Sequence, residues 1–454
     1  MKLSFQTTAA IRFGYGLSPL VAAPASGADM LARLAGPDKT AARFPIKPFA
    51  IRLQQEREMG KLRKKRRKGG AAAEAAYKKA IKTASAEKLR ELRVTMIRPM
   101  ISEDGFRERL VRFWADHFAV SARGKGLRFV ATSYIEDAIR PKITGKFRDL
   151  LRAATTHPVM LTYLDQTQSI GPNSVIGKKK NRGLNENLAR EILELHTLGV
   201  DGAYTQTDVR QFAELLTGLE ASYRNGFRFR PRAAEPGAET VLGRVYGGGA
   251  ASINDIYQAL DDIAIHPDTA RNIARKLVVH FISDTPPEAL VNNLTKAFLA
   301  TEGDLMAVYK ALLNHPRAWD DFGQKAKQPF DYLASAMRAL ALEPAVIEGL
   351  SSRETRLYLA GPMEVMGQPY QRPSGPNGWP EAMGDWITPQ GLAARIEWAL
   401  IVTNRLGGGG DPVKFARQTL SDAASPRLLE AVAQAETATE GRVLVLASPE
   451  FNRR

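Results

Sequence analysis

The chain runs to 454 residues, 44% hydrophobic and 25% charged, enough for roughly two or three cores of ordinary size and too apolar for wholesale disorder. Lys and Arg outnumber Asp and Glu by 64 to 48, giving a net charge of +16, so the outer field favours nucleic acid, anionic lipid or acidic polysaccharide. Cysteine is absent, which excludes disulfides, thiolate catalysis, zinc ribbons and iron–sulfur clusters.

In chain order, residues 1–48 form a lead segment with a Gly/Pro-rich loop. Its first residues are interrupted by polar groups and Arg12 before any apolar run reaches signal-peptide length, so no cleavable export signal is expected and a cytoplasmic location follows on that ground. No apolar run approaches the ~18 residues of a spanning helix, and a soluble or surface-associated protein is expected. Residues 49–99 read as two long helices folded back at Gly69-Gly70, a basic helical hairpin. Its first arm ends in Lys61, Arg63, Lys64, Lys65, Arg66, Arg67 and Lys68, seven basic residues in eight. They stand at a helix C-terminus, where the macrodipole favours cations; either they are a solvated helix end, or their mutual repulsion is tolerated because they bind an anionic polymer.

Residues 100–220 are expected to form a central helical core. Phe106, Leu110, Phe113 and His117 recur at helical spacing on one face, with Ser102 as N-cap. A helix over 185–198 concentrates Glu186, Asn187, Arg190, Glu191, Glu194 and His196. It follows a basic loop running to Arg182 and precedes a helix opened by a Thr205/Asp208 capping box. Residues 221–252 read as a loop insertion, and 253–454 as a C-terminal helical region interrupted by a Pro/Gly-rich stretch over 362–389. Strand-like alternation is rare, and the fold class is all-α, mainly helical. Three of the six histidines, His157, His266 and His315, precede proline where one helix ends and another begins, which assigns them to helix junctions.

Two accounts of the 185–198 helix stay open. In the first its polar face is solvated, with Glu186–Arg190 and Arg190–Glu194 pairs at four-residue spacing and His196 in the core. In the second the carboxylates turn inward, and Glu191 and Glu194 bind a divalent metal. Glu194 and His196 point about 160° apart on a regular helix, so the two cannot share one ion. His117 is either a packed core histidine or one half of a buried acid–base couple with Asp165 or the 185–198 helix.

Several segments together resemble domain-of-unknown-function family 1800. They are His157-Pro158 through Asp165, Gly171-Pro172-Asn173-Ser174 and Gly183 through Val200, supported by Phe113-Trp114-Ala115-Asp116-His117-Phe118, Tyr204-Thr205 through Gly218, His266-Pro267 through Val278, Met366-Gly367-Gln368-Pro369 and Gly378-Trp379-Pro380. The chain departs from the family pattern at Arg232-Ala233-Ala234-Glu235-Pro236-Gly237, where a histidine is expected just before Glu-Pro-Gly. The resemblance implies a bacterial, mainly helical protein. It further implies a gene neighbour from domain-of-unknown-function family 1501, a sulfatase-like protein often exported through a twin-arginine signal, and hence a cell-envelope pathway with periplasmic co-export as the alternative location.

Three functions follow as expectations: an accessory or binding protein acting with that sulfatase- or phosphatase-like partner on a polyanion; a metal-assisted hydrolytic enzyme built on His117, Asp165, Glu186, Arg190, Glu191, Glu194 and His196; and a non-specific nucleic-acid binder.

Overall fold

A computed structural model describes residues 3–124, 127–180, 183–222, 226–407 and 409–454. Arg182, at the end of the basic loop, and part of the 221–252 stretch lie outside them. The described residues are mainly helical, and no helix among them is long and apolar enough to cross a membrane.

The hairpin stands as the sequence predicts. Helix α1 (Phe49–Arg67) and helix α2 (Ala71–Ile101) are joined through Gly69 and Gly70. Both glycines have positive φ, 93° and 103°, a region closed to most side chains. Helix α3 (Gly105–His117) is capped by Asp104, whose side chain accepts from the Arg107 N–H, rather than by Ser102. It is buried almost all round, on more than the single apolar face expected, because α2 and the elements after it close over its polar side as well.

The 185–198 segment is a shorter, broken helix. Helix α4 (Asn187–Glu191) passes directly into a π-turn over Ile192–His196, a local widening often found where a side chain is re-aimed for function. Helix α5 (Gln206–Leu215) carries the expected capping box between Thr205 and Asp208. The stretch after it, expected to be loop, holds two antiparallel hairpins: β1 (Leu219–Ser222) with β2 (Gly226–Phe229), and β3 (Ala238–Val241) with β4 (Arg244–Gly247). Four-residue strands are too short to show a period-two pattern in sequence. Val175–Lys180, expected to be irregular, is a short helix.

The three His-Pro junctions share one mechanism. Nδ1 of His157, His266 and His315 each accepts the backbone N–H two residues on, at 3.2 Å in all three cases, so each histidine is the N-cap of the helical turn its proline opens.

Two apolar cores result. One gathers Phe13, Phe106, Trp114, Phe147, Leu193, Phe212, Leu277 and Phe298, with helix α6 (Pro267–Phe281) at its centre. The other gathers Leu92, Ile97, Leu333, Met337, Trp398 and Leu446 from the end of α2, helix α7 (Pro329–Ala339), helix α8 (Pro389–Arg405) and the C-terminal helices. Every residue of α7 is buried. The chain passes from the second core into the first at the α2–α3 turn, and the polar side of α3 faces the seam between them.

Candidate functional site

Two regions concentrate charge. The first is the outer part of the hairpin: no residue from 60 to 90 is buried. Glu87 pairs with Lys47 and Arg52, and Lys88 is desolvated near Arg128 and Arg372, so the outer part of α2 runs from Ala71 to Ala86, about 24 Å at a rise of 1.5 Å per residue. Over residues 61–82 ten Lys and Arg face a single acid, Glu74. Arg66 lies over the Tyr77 ring at 4.4 Å and pairs with Glu74 at 3.8 Å, tying the two helices together beside the turn. Lys61, Lys64, Lys65, Arg66, Arg67 and Lys68 are exposed, and Arg63 is half-buried.

The second region is the seam. Arg109 of α3, 1% exposed, pairs with Asp331 of α7 and stacks between Tyr15 of one core and Phe281 of the other. Its guanidinium also lies 3.1 Å from Nε2 of His280 on α6, and Nδ1 of His280 lies 2.5 Å from Glu381. Lys325 completes the chain, paired with both Glu381 and Asp284. His280 and Lys325 hold the Glu381 carboxyl down at about 2 against the opposing effect of its burial, and burial draws His280 down to about 4.

Two helical turns further along α3 the environment changes. Asp116 accepts the Trp379 backbone N–H at 2.9 and 3.2 Å through its two oxygens. The chain reaches it through Gly378, at φ +76°, where an added Cβ would stand 2.7 Å from the Asp116 carboxylate, so only glycine allows this approach. Burial first, then the nearby Glu381, pushes the Asp116 carboxyl up to about 7. His117 is buried against Trp114 and Phe118, its Nε2 3.0 Å from the His196 carbonyl. Since a carbonyl only accepts, Nε2 carries the proton and Nδ1 offers a lone pair. That lone pair faces Nζ of Lys276 at 3.4 Å, and Lys276 also donates to the Leu195 carbonyl at 2.9 Å. Burial pulls the Lys276 amine down to about 8. His196 is fully buried with both ring nitrogens unbonded, and burial takes it down to about 3. Beside Asp116 a cleft of about 40 Å³ opens, lined by Arg112, Gln371, Pro373 and Trp379 among others.

Residues 8–453 match the model of one protein family. The chain belongs to DUF1800, described as a protein of unknown function. No curated protein and no solved structure matches it. In this DUF1800 chain, segments far apart in sequence that carry the family resemblance converge on the seam: Trp114 to Phe118 on α3, the turn ending at His196, Lys276 on α6, and Gly378-Trp379.

The residues named from sequence separate into three pairs and one residue that stands apart. His117 and His196 meet at the seam. Asp165 does not join His117: it is exposed, at φ 57°, and accepts from Gln168 at 3.2 Å. Glu186 and Arg190 pair at 3.2 Å on the surface, bridged by Gln206 of α5. Glu191 and Glu194 stay near each other, half-buried, with Glu191 raised first by burial and then by Glu194. Among the described residues no group of three or more His, Asp or Glu is placed to hold a metal ion.

Sequence reasoning passed over Arg109, Asp116, Lys276, His280, Asp331 and Glu381 as site residues. A signal existed: Arg109, Arg112 and Asp116 recur at three and four residues beside the apolar stripe of α3, and Lys276 and His280 at four residues beside that of α6. Two helices with a titratable stripe bordering an apolar one mark a polar seam between cores.

Proposed function

We propose that the chain is a binding protein that grips an anionic polymer with the tip of its helical arm. The observation that carries this reading is a 31-residue stretch, 60–90, without one buried residue, bearing ten cations to one anion over its outer part. A pair of helices projecting into water gains no core by doing so, and its cations repel one another by a few tenths of a kcal/mol per helical pair. A polymer of closely spaced negative charge reverses that repulsion and releases its condensed counterions on binding. The aromatic ring beside the turn, Tyr77, is covered by Arg66, which favours charge-driven over base-specific recognition.

The test is titration of a sulfated polysaccharide and, separately, duplex DNA at several salt concentrations. For DNA, a variant with Lys64, Lys65, Arg66 and Arg67 replaced by glutamine should lose about 3 to 4 from the log–log salt slope, at about 0.9 per contact, with a parallel weakening toward the polysaccharide. Binding of both polymers that is unchanged in this variant would overturn the reading. A preference between the two polymers at matched salt identifies the class of ligand.

A further inference from the structure

A second site, independent of the arm, lies where the two cores meet around Arg112. This side chain is half-buried on α3, and its guanidinium stacks on the Phe330 ring of α7 at 4.3 Å. Its N–H groups find no hydrogen-bond or ion-pair partner among the described residues. Asp116, one turn further on, turns both oxygens to the Trp379 N–H instead of to Arg112. Arg112 and Phe330 line a cavity of about 30 Å³ together with Tyr15, Glu108, Glu136 and Gln371.

Most polar groups of that lining are spent on one another. Arg98 pairs with Glu136, Arg140 with Glu108, and Gln371 donates to Thr132. Each carboxylate thus has an arginine of its own, and the charge of Arg112 is the one left over. Two further groups are left over with it. Tyr15 is 2% exposed and meets the Phe330 ring edge-on with centroids 6.5 Å apart, yet its Oη has no hydrogen-bond partner. Glu108 bonds Arg140 through Oε2 and leaves Oε1 buried and unbonded. A buried polar group without a partner costs free energy, and here three of them border one small cavity.

We propose that this cavity binds a small 2-hydroxycarboxylate that bridges the two cores. Arg112 receives the carboxylate on its planar fork of N–H groups, the geometry in which a guanidinium pairs best with two oxygens. The Tyr15 hydroxyl donates to the same carboxylate, and the hydroxyl of the ligand donates to Oε1 of Glu108. One anion with one neighbouring donor satisfies all three groups, and the ligand joins α3 of the first core to Tyr15 and Phe330 of the second. A cavity of about 30 Å³ holds roughly two or three water-sized groups, which limits the ligand to about the size of glycolate. Because Arg112 is half exposed to water, the anion reaches it without opening the fold.

The experiment is saturation-transfer NMR on the whole protein with glycolate, acetate and mandelate at fixed ionic strength. Glycolate should bind at least about threefold more tightly than acetate, which lacks the hydroxyl. Mandelate, with the same carboxylate and hydroxyl on a larger frame, should be excluded. Arg112→Gln should weaken glycolate about tenfold or more. Tyr15→Phe removes a hydroxyl that bonds nothing in the free chain, so its melting temperature should hold while glycolate binding weakens about threefold. The variant with four arm cations replaced should bind glycolate as the parent chain does, which separates this site from the arm. Glycolate binding that is absent, unchanged in Arg112→Gln, or matched by acetate or mandelate would overturn the proposal and leave the cavity to water.

Discussion

The arm and the seam hold charge in opposite ways. At the tip of the arm the cations from Lys64 to Lys68 stand in water, and their sum sets how far and how strongly the molecule attracts an anion. In the seam Arg109, Asp331, His280 and Lys325 are nearly removed from water and Glu381 is half-buried, so each needs a partner, and the pairing fixes geometry and proton affinity instead of reach. Residues of the same types, in the seam along α3 or at the outer end of α2, therefore do different physical work.

Breaking one seam partnership should give the largest effect. Asp331→Asn leaves the Arg109 guanidinium, 1% exposed, without its counter-charge, and urea unfolding should show a loss of about 3–5 kcal/mol. A loss below about 1 kcal/mol would mean the pair is as well solvated as a surface pair, and the contrast with the arm would vanish.

The next effect is in pH. The Asp116 carboxyl rises from its ordinary 3.8 to about 7 in the folded chain, so between those values the folded state keeps a proton that the unfolded state has lost. Stability from this group is therefore present below about 4 and is lost as pH rises toward 7. Lys276 falls from 10.5 to about 8, so the folded amine sheds its proton first and its contribution recovers between about 8 and 10.5. Asp116→Asn removes the first of these. Its melting temperature relative to the parent chain should climb from pH 4 to pH 7 and stay level above that. A difference independent of pH would show that Asp116 titrates as a solvated carboxyl does.

How much of this was legible in the sequence follows from the same contrast. The arm could be read directly, because a run of strong helix formers, a Gly-Gly turn and seven basic residues in eight are local signals. So could the His-Pro junctions and the Thr205 capping box, each set by residues two or three apart. The seam could not, since Arg109 and Asp331 are 222 residues apart and Asp116 and Trp379 are 263 apart. Nothing in the local pattern says that two helices with titratable stripes face one another. The 185–198 segment was legible only as a dense run of charge, for a related reason: the π-turn at Ile192 sends His196 into the core while Glu186 and Arg190 remain outside.

The four-glutamine arm variant should keep the stability of the parent chain within about 0.5 kcal/mol in the same urea assay while its polymer binding collapses. A larger loss would mean that the arm's cations are structural, held by contacts such as Arg66 with Tyr77 and Glu74, and that projection into solvent is not their role.

The smallest effect belongs to the surface between these regions. Glu186 pairs with Arg190 at 3.2 Å, with side chains 33% and 40% exposed, and Gln206 bonds both at 2.9 and 2.8 Å, fastening α4 to α5. Glu186→Gln removes one charge but keeps an oxygen for Gln206, so the cost should be about 0.2–0.5 kcal/mol, as for other exposed helical pairs. Polymer binding should stay as it is. A loss above about 1 kcal/mol in the same urea assay would instead show that this bridge, and not the packing beneath it, fastens α4 to α5.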